Sequence, residues 1–287
     1  MAVIWPWFRA LVRKRLSDWP FRNRPPEVSG RWNPEHYLKF ADHRMRPALD
    51  LMERINIPDA KTLYDLGCGP GTVTRLLAER WPGADIIGVD QSPQMLARAA
   101  QEAPDIQWLE GDIDSWVFEV PVDLIFSNAA LHWCDDHQNL FPGLMENLAT
   151  GGVLAVQMPK NHEAPSHTLM ADVARSGPWA ELLVPLMREA PVWSAASYYD
   201  LLATQARSID IWESQYIHIL EGADPVFEWV RGTALKPLLD ALEGSQKAHW
   251  RAEFIDDYKQ RLRQAYPQRS DGRTLFSFRR LFLIAVR

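Results

Sequence analysis

The chain has 287 residues, of which 47% are hydrophobic, and 31 basic against 37 acidic residues give it a net charge of −6. This length suffices for one large domain or for a core domain with an elaborated lid. The mild acidity argues against nucleic acid or an anionic membrane as the main partner, and no apolar run is long enough to predict a membrane-spanning or stably inserted segment. Cys68 and Cys134 are too few for a disulfide framework, which favours a reducing, cytoplasmic location.

Residues 1–30 differ from the rest of the chain because they carry six basic but only two acidic residues. Apolar residues between Trp5 and Trp19 fall near helical spacing, so a short basic amphipathic helix is predicted there. One interpretation is a segment that binds a membrane surface or serves as a targeting signal. The preferred interpretation is an appendage packed on the body of the protein, or a start codon assigned too early. Pro25 and Pro26 are expected to end the segment as a stiff linker.

Between residues 61 and 158, short apolar runs alternate with amphipathic stretches. A helix is predicted from about Thr72 to Arg80, a second with Ser92 as its N-cap, and a third ending near Gly151 and Gly152. Strands are predicted between them, at residues 62–66, 85–90, 106–109, 122–127 and 153–157. This alternation predicts a doubly wound α/β domain with a parallel sheet covered on both faces.

The second half of the chain is less regular. Residues 160–268 are rich in Trp and Pro with a helical pattern, and they are expected to cover the mouth of the sheet. Residues 209–220 and 275–286 are predicted as an antiparallel pair of strands that completes a seven-stranded sheet. The chain is thus divided into a basic appendage at 1–30, an α/β core at 31–159, and a lid with the final strands at 160–287.

A glycine-rich turn joins the first predicted strand to the first helix, with Asp65 opening it and Gly67, Gly69 and Gly71 following. Glycines let the backbone approach a ligand closely, and such a turn directs the amides of a helix N-terminus at that ligand. A dinucleotide fingerprint requires a third glycine at the position occupied by Thr72. Asp65 would repel phosphate but suit an ammonium group, so the turn favours a nucleoside that carries an amino acid.

Two further acidic side chains follow the next two strands. Asp90 ends the second strand, where a carboxylate accepts hydrogen bonds from both hydroxyls of a ribose. Asp112 follows the third strand and is placed to accept from an adenine amino group. Three acids after three successive strands predict a nucleoside site more specifically than the glycine turn alone.

With these motifs the sequence resembles the class I S-adenosylmethionine-dependent methyltransferases. Over about residues 31–287 it is similar to the bacterial trans-aconitate methyltransferases, whereas residues 1–30 lie outside the similarity. The chain departs from the usual pattern at His132, where glutamine often stands, and at Lys236, where arginine does. The segments that carry the resemblance are WNP at 32–34 with Tyr37, RMRP at 44–47, DLGCGPG at 65–71, SNAALHW at 127–133, VQMP at 156–159, YYD at 198–200 and RRLF at 279–282.

The resemblance implies S-adenosylmethionine as the cofactor, released as S-adenosylhomocysteine, and no metal. Met95 would either pack on the adenine or be a core methionine, and Cys68 would be a small buried residue rather than a nucleophile. The residues implied to hold the cofactor are Asp65, Gly67, Gly69, Asp90, Gln91, Met95, Asp112, Ile113 and Asn128.

The resemblance further implies transfer of the methyl group to one carboxylate of trans-aconitate or a similar small polycarboxylic acid. A carboxylate is ionised at neutral pH, so alignment suffices and no catalytic base is required. His132 either touches the substrate or is only structural. The alternatives are another acceptor, such as a phenol or a malonyl thioester, and a non-catalytic cofactor-binding protein. The sequence makes no prediction about the oligomeric state.

A polycarboxylate requires cationic partners. Arg44 and Arg46 would diverge by about 200° on a straight helix, but Pro47 disfavours helical dihedral angles at Arg46, and a break there turns both toward one cleft. Arg279 and Arg280 point to opposite faces of a strand, so only one faces the pocket, and Arg279 is preferred. The other predicted substrate contacts are His132, Trp133, Tyr198, Tyr199 and Lys236.

Overall fold

The computed structural model describes residues 45–187, 191–243 and 249–287. The appendage predicted at residues 1–30 lies outside them, and so does the predicted substrate residue Arg44. Every described residue belongs to one compact unit of the chain.

Seven strands make up the sheet within the described residues. They are β1 (Thr62–Leu66), β2 (Asp85–Asp90), β3 (Gln107–Glu110), β4 (Val122–Asn128), β5 (Leu148–Pro159), β6 (Ser208–Leu220) and β7 (Thr274–Val286). Their order across the sheet is β3-β2-β1-β4-β5-β7-β6, with parallel pairing from β3 to β5 and antiparallel pairing of β7 with both neighbours. The predicted doubly wound sheet with an antiparallel final pair is confirmed.

Helices alternate with the first five strands and then dominate the second half of the described chain. They are α1 (Arg46–Glu53), α2 (Thr72–Arg80), α3 (Pro93–Glu102), α4 (His137–Glu146), α5 (Pro165–Ser176), α6 (Ala180–Leu183), α7 (Ala195–Leu202), α8 (Pro225–Arg231), α9 (Lys236–Glu243) and α10 (His249–Ala265). Short 3₁₀ turns lie at Ile113–Ser115, Leu131–Trp133 and Val184–Leu186. The predicted cap at Ser92 is confirmed, because its Oγ accepts a hydrogen bond of 3.4 Å from the N–H of Met95.

The central strands are buried on both faces, as their continuous apolar runs predict. Positions 63–66 of β1 and 124–127 of β4 are all buried. On one face, Phe141 of α4 and Tyr198 of α7 belong to the main apolar core. On the other face, α1 packs against β5. The ends of the parallel strands therefore lie between two helical layers, where a ligand can reach them.

Gly151 and Gly152 do not end a helix, contrary to the prediction. Helix α4 ends at Glu146, and both glycines belong to β5. The N–H of Gly151 donates to the carbonyl of Arg287 at 3.0 Å, and the N–H of Arg287 donates to the carbonyl of Gly152 at 2.9 Å. Pairing with the far end of the chain, which no local pattern reveals, therefore extends β5 toward its N-terminus.

Strands β6 and β7 run for 13 residues each and extend beyond the parallel strands. This extension presents Phe276 and Phe278 to a second apolar cluster, in which they pack with residues of α5, α8, α9 and α10 such as Phe227, Leu238 and Tyr258. The segment predicted to form a helical lid is thus helical and has its own core. Among the described helices, none has the length and apolarity needed to cross a membrane.

Candidate active site

The glycine turn folds against the end of β2. The N–H groups of Gly67 and Cys68 both donate to the carbonyl of Val89, at 2.8 and 3.0 Å. Gly67 (φ 74°) and Gly69 (φ 55°) are in the left-handed region that favours glycine. A Cβ on Gly67 would lie 2.1 Å from the Cβ of Ala130, whereas a Cβ on Gly69 would meet no atom within 4 Å. Gly67 is therefore required for packing, and Gly69 faces open space.

Asp90 holds the same turn from the end of β2. Its Oδ2 accepts a hydrogen bond of 2.8 Å from the N–H of Gly69, and its Oδ1 accepts one of 2.9 Å from the N–H of Ser92. Each carboxylate oxygen has a further lone pair, so Asp90 can accept from a ligand while it holds the turn. The structure thus brings Asp90 to the glycine turn, as the sequence predicts.

Asp65 lies beneath the turn and is only 2% exposed. Its Oδ2 accepts a hydrogen bond of 2.6 Å from the hydroxyl of Thr74 in the first turn of α2. Burial raises the pKa of Asp65 to about 7, the hydrogen bond from Thr74 opposes this, and the negative charge of Asp90 adds to it. A cation above the turn would stabilise the ionised carboxylate, so this site favours a positively charged ligand.

The remaining residues predicted to hold a cofactor near β2 and β3 differ in their placement. Ile113 lines the turn, since its Cδ1 lies 3.5 Å from the position of a Cβ on Gly67. Asp112 is exposed and caps the turn Ile113–Ser115 by accepting a hydrogen bond of 3.1 Å from the N–H of Asp114. Gln91 is exposed, and Met95 is 45% exposed on α3, which excludes the interpretation of Met95 as a core residue.

Asn128 ends β4 beside the glycine turn. Its Oδ1 is buried and has no hydrogen-bond partner among the described residues. The next residue, Ala129, has a φ of 55°, which is uncommon for a residue with a side chain, and its N–H donates to the carbonyl of Gln157 at 2.8 Å. A buried acceptor without a donor costs about 1–3 kcal/mol, so Asn128 indicates a position where a ligand supplies the donor.

His132 and Trp133 lie in the 3₁₀ turn that follows β4. Their ring centroids are 4.9 Å apart, and Trp133 is 50% exposed. The turn is held by buried His137, whose Nε2 lies 2.8 Å from the carbonyl oxygen of Leu131 and whose Nδ1 lies 2.7 Å from the hydroxyl of Tyr198. A carbonyl only accepts, so Nε2 carries the proton and Nδ1 accepts from Tyr198. Sequence reasoning missed this supporting role of His137.

Tyr198, which the sequence interpretation names as a substrate contact, lies in the core of the structure. It is fully buried, its ring lies 4.9 Å from that of Phe141, and its hydroxyl accepts a hydrogen bond of 3.3 Å from the N–H of Trp193. Burial raises its pKa. Tyr198 therefore supports the turn of His132 from behind, through His137. Tyr199, the next residue on α7, is 55% exposed.

Two arginines come together around Tyr216 on the α1 side of the sheet. The guanidinium carbon of Arg46 lies 5.2 Å from the centroid of the Tyr216 ring. Burial and Asp50 raise the pKa of the Tyr216 hydroxyl, and the positive charges of Arg280 and Arg46 oppose this increase. That hydroxyl donates a hydrogen bond of 2.6 Å to Oδ2 of Asp50, which ties α1 to β6. Helix α1 begins at Arg46, with Pro47 in its first turn, so Arg46 projects from the start of the helix.

Arg280 faces the interior and Arg279 does not, whereas the sequence interpretation preferred Arg279 for the pocket. Arg280 is 5% exposed, and its Nη1 donates a hydrogen bond of 3.2 Å to Oε1 of Gln157. Arg279 has a half-exposed side chain whose Nε lies 3.9 Å from Oε2 of Glu213. The two side chains point to opposite faces of β7, as predicted. Which of them faces the core depends on the register of β7 with β5, which the local sequence does not reveal.

Gln157 stands directly opposite Asn128 in the register of β4 and β5, and the sequence interpretation did not single it out. It is fully buried, and its Nε2 has no hydrogen-bond partner in the described part of the chain. The available signal was a polar residue within an apolar central strand. Lys236, by contrast, is largely exposed on α9 and pairs with Asp240 one helical turn away.

The edge of the sheet at the glycine turn brings together side chains of opposite charge. Nowhere in residues 45–187, 191–243 and 249–287 do three or more His, Cys, Asp or Glu side chains gather as a metal site would require. The edge instead combines an acidic side, formed by Asp65 and Asp90 around the glycine turn, with a basic side, formed by Arg46 and Arg280.

This chain matches a family of known domains over part of its length and individual known proteins over most of it. A methyltransferase domain family matches residues 63–152. A trans-aconitate 2-methyltransferase of Azoarcus sp. (strain BH72) is 48% identical over 256 residues, which cover 89% of this chain and 99% of that protein. Another from Streptomyces coelicolor is 45% identical over 269 residues, covering 91% of this chain and 88% of that protein.

A solved structure supports the fold. The YcgJ protein of Bacillus subtilis is 15% identical with a TM-score of 0.54, and the match covers 84% of this chain and 98% of that one. The similarity to the two relatives spans nearly their whole length at more than 40% identity. The chain therefore belongs to the trans-aconitate 2-methyltransferase family, within the class I S-adenosylmethionine-dependent methyltransferases.

Proposed function

We propose that this chain transfers the methyl group of S-adenosylmethionine to one carboxylate of trans-aconitate, or of a similar small polycarboxylic acid, and so forms a methyl ester. One observation carries the proposal: the open, acidic glycine turn lies at the same edge of the sheet as two arginines, buried Arg280 and exposed Arg46. A cationic methyl donor and an anionic acceptor require opposite charges on two sides of one site.

The residues of the acidic side fit S-adenosylmethionine. The space in front of Gly69 would admit the cofactor, and Asp90 has lone pairs left for the ribose hydroxyls. Asn128 Oδ1 offers a buried acceptor that the described chain does not satisfy, and Asp65 offers a carboxylate that a cation would keep ionised. Gly67, Gln91, Met95, Asp112 and Ile113 would complete the cofactor site.

The residues of the basic side suit a polycarboxylate. The positive charges of Arg46 and Arg280 both act to lower the pKa of Tyr216. Guanidinium groups pair with carboxylates through charge-assisted hydrogen bonds. His132 and Trp133, in the turn after β4, and Tyr199 would meet the acid from other sides. Arg44 and Lys236 remain predicted contacts. Residues 160–268 would cover the substrate, as the lid of the core at 31–159.

The reaction asks little of the protein beyond alignment. Bound at the glycine turn, S-adenosylmethionine would supply a methyl group on a positively charged sulfur for transfer to a carboxylate oxygen, with the electron pair of the carbon–sulfur bond left on sulfur. The acceptor is already ionised at neutral pH, so no side chain has to remove a proton. The arginines hold and orient the acid, and the glycine turn holds the donor. This division of roles explains why no acid–base pair is needed at the site.

The test is methyl transfer by the purified protein from labelled S-adenosylmethionine to a panel of acids, phenols and thioesters. We expect label in trans-aconitate, in a product that base releases as methanol, as an ester requires. Label in a phenol or a thioester but in no polycarboxylic acid would contradict the proposal. We further propose that the protein acts in the reducing cytoplasm, where its two buried cysteines, Cys68 and Cys134, stay in the thiol form.

A further inference from the structure

The orientation of the Gln157 amide is determined by its neighbour. A guanidinium group only donates hydrogen bonds, so the atom of Gln157 that meets Nη1 of Arg280 at 3.2 Å must be its carbonyl oxygen. The amide nitrogen therefore points elsewhere, and its N–H groups have no acceptor among the described residues. The side chain is fully buried, so bulk water does not replace that acceptor.

Two kinds of donor thus share one small region at the end of β5. The Nε2 group of Gln157 and the guanidinium of Arg280 are joined through the Gln157 oxygen, and Arg280 is 5% exposed. Asn128 lies on the neighbouring strand, directly opposite Gln157. A pair of buried donors, one of them charged, is the arrangement that a carboxylate requires.

The charges around the site distinguish which ligand meets this pair. The donor side of S-adenosylmethionine is cationic and would be repelled by Arg280, whereas Asp65 and Asp90 at the glycine turn attract it. Gln157 and Arg280 lie on the other side, toward Tyr216 and Arg46. The unpartnered N–H groups of Gln157 therefore belong to the substrate subsite.

We propose that Gln157, oriented by Arg280, is a specificity-determining residue that binds a carboxylate of the substrate other than the one that is methylated. The proposal rests on the proposed function and adds the residue that recognises the second acidic group. An acid with a single carboxylate cannot place one group at Gln157 and another at the methyl donor, so Gln157 selects for polycarboxylates.

The decisive variant is Gln157→Glu, which replaces the amide nitrogen by an oxygen at almost the same volume. Its carboxylate can still accept from Arg280, so the fold keeps its internal contact. We expect the KM for trans-aconitate to rise by roughly 30-fold or more, because a donor becomes a repelling anion. The kcat at saturation and the Kd of S-adenosylhomocysteine should each change less than about threefold, because the cofactor side is untouched.

Two controls separate recognition from a folding defect. Gln215→Glu makes the same change on the exposed face of β6 and should leave the KM unchanged. Gln157→Met removes the donor without adding charge. In this variant the preference for trans-aconitate over a monocarboxylate such as crotonate, measured as the ratio of kcat/KM values, should fall about tenfold, whereas a folding defect would lower both values equally.

The possible outcomes distinguish the two proposals. If the unmodified protein methylates no polycarboxylic acid, the proposed function fails and this inference fails with it. If the unmodified protein does methylate trans-aconitate while both Gln157 variants keep its KM and its acid preference, only the inference fails. Should the variants not fold, a crystal structure of the unmodified protein with trans-aconitate and S-adenosylhomocysteine decides: a carboxylate oxygen within hydrogen-bond distance of Nε2 supports the inference, and its absence there overturns it.

Discussion

Thr74 donates a hydrogen bond of 2.6 Å to Asp65 in an environment where both side chains are almost completely buried. The bond joins β1 to the first turn of α2, directly beneath the glycine turn. Because Asp65 is buried close to the negative charge of Asp90, its pKa is raised to about 7. The carboxyl group therefore changes its charge near neutral pH, which has consequences for both stability and ligand binding.

The stability of the ligand-free protein should depend on the ionisation of Asp65. In the folded state the Asp65 carboxyl group keeps its proton up to about pH 7, whereas the ordinary pKa of an aspartate is 3.8. The free energy of unfolding should thus fall as the pH rises through this interval and level off above it. At about 1.4 kcal/mol per pKa unit, the Asp65 contribution is at most about 4 kcal/mol.

Denaturant unfolding at several pH values checks this dependence. Asp65→Asn cannot ionise, so the parent should lose stability relative to this variant as the pH rises through the same interval. Asp105→Asn, a change at an exposed aspartate, serves as the control. Parallel pH profiles for the parent and Asp65→Asn would contradict the assignment.

Gly69→Ala should weaken cofactor binding more than it destabilises the fold. The new Cβ meets no protein atom, so the cost to folding is the left-handed backbone, about 1–2 kcal/mol. It would, however, occupy the space in front of the turn. Gly151→Ala is a matched control, because Gly151 also has positive φ and open space around it but lies far along β5. We expect calorimetry to give a Kd for S-adenosylhomocysteine at least about tenfold weaker for Gly69→Ala only; equal Kd values in the two variants would refute the assigned pocket.

Asp90→Ala should weaken cofactor binding by about 1–3 kcal/mol, because the ribose hydroxyls lose a charged acceptor. The variant also leaves the N–H groups of Gly69 and Ser92 without their present acceptor, so a loss of stability is expected as well. Asp85→Ala, at the exposed start of the same strand, should change neither quantity. An unchanged Kd for the cofactor in Asp90→Ala would remove Asp90 from the site.

Tyr198→Phe should lower stability and leave substrate recognition intact. Removal of the hydroxyl removes its hydrogen bonds with Nδ1 of His137 and with the N–H of Trp193, at a cost of about 1–3 kcal/mol in the free energy of unfolding. Tyr199→Phe alters an exposed side chain and should be nearly neutral for stability. The comparison requires denaturant unfolding and the KM for the acid; a large rise in KM without loss of stability in Tyr198→Phe would restore it as a contact residue.

Arg280→Gln and Arg279→Gln change neighbouring residues on opposite faces of β7. Only the first removes a guanidinium from the buried face, so only it should raise the KM for trans-aconitate, by about tenfold or more. Arg279 lies near Glu213 with half its side chain exposed, and such pairs contribute little. If the effects on KM were reversed, the arginine facing the substrate would be Arg279 after all.

Local pattern predicted most of the fold. The bounds of α2 and of β1 and β2 match the sequence interpretation, because continuous apolar runs, a glycine turn and a capping serine each act over a few residues. Asp90 was placed at the glycine turn for a related reason: parallel strands bring their carboxyl ends to one edge. The lengthening of β5 was missed because its extra residues pair with the end of the chain.

The side-chain roles at the basic side required the tertiary structure. An alternation of period two shows that Arg279 and Arg280 face opposite ways but not which one faces the interior, since that depends on the register with β5. The sequence shows Gln157 only as an unusual amide in an apolar strand. The structure adds that Arg280 fixes the orientation of this amide. The sequence by itself determined the sheet, the glycine turn and its acids, because these follow from contacts between residues close in the chain or from strand order. Only the tertiary structure decided that Tyr198 and Arg280 are buried and that Arg280 orients Gln157, because each of these depends on a neighbour brought from a distant part of the chain.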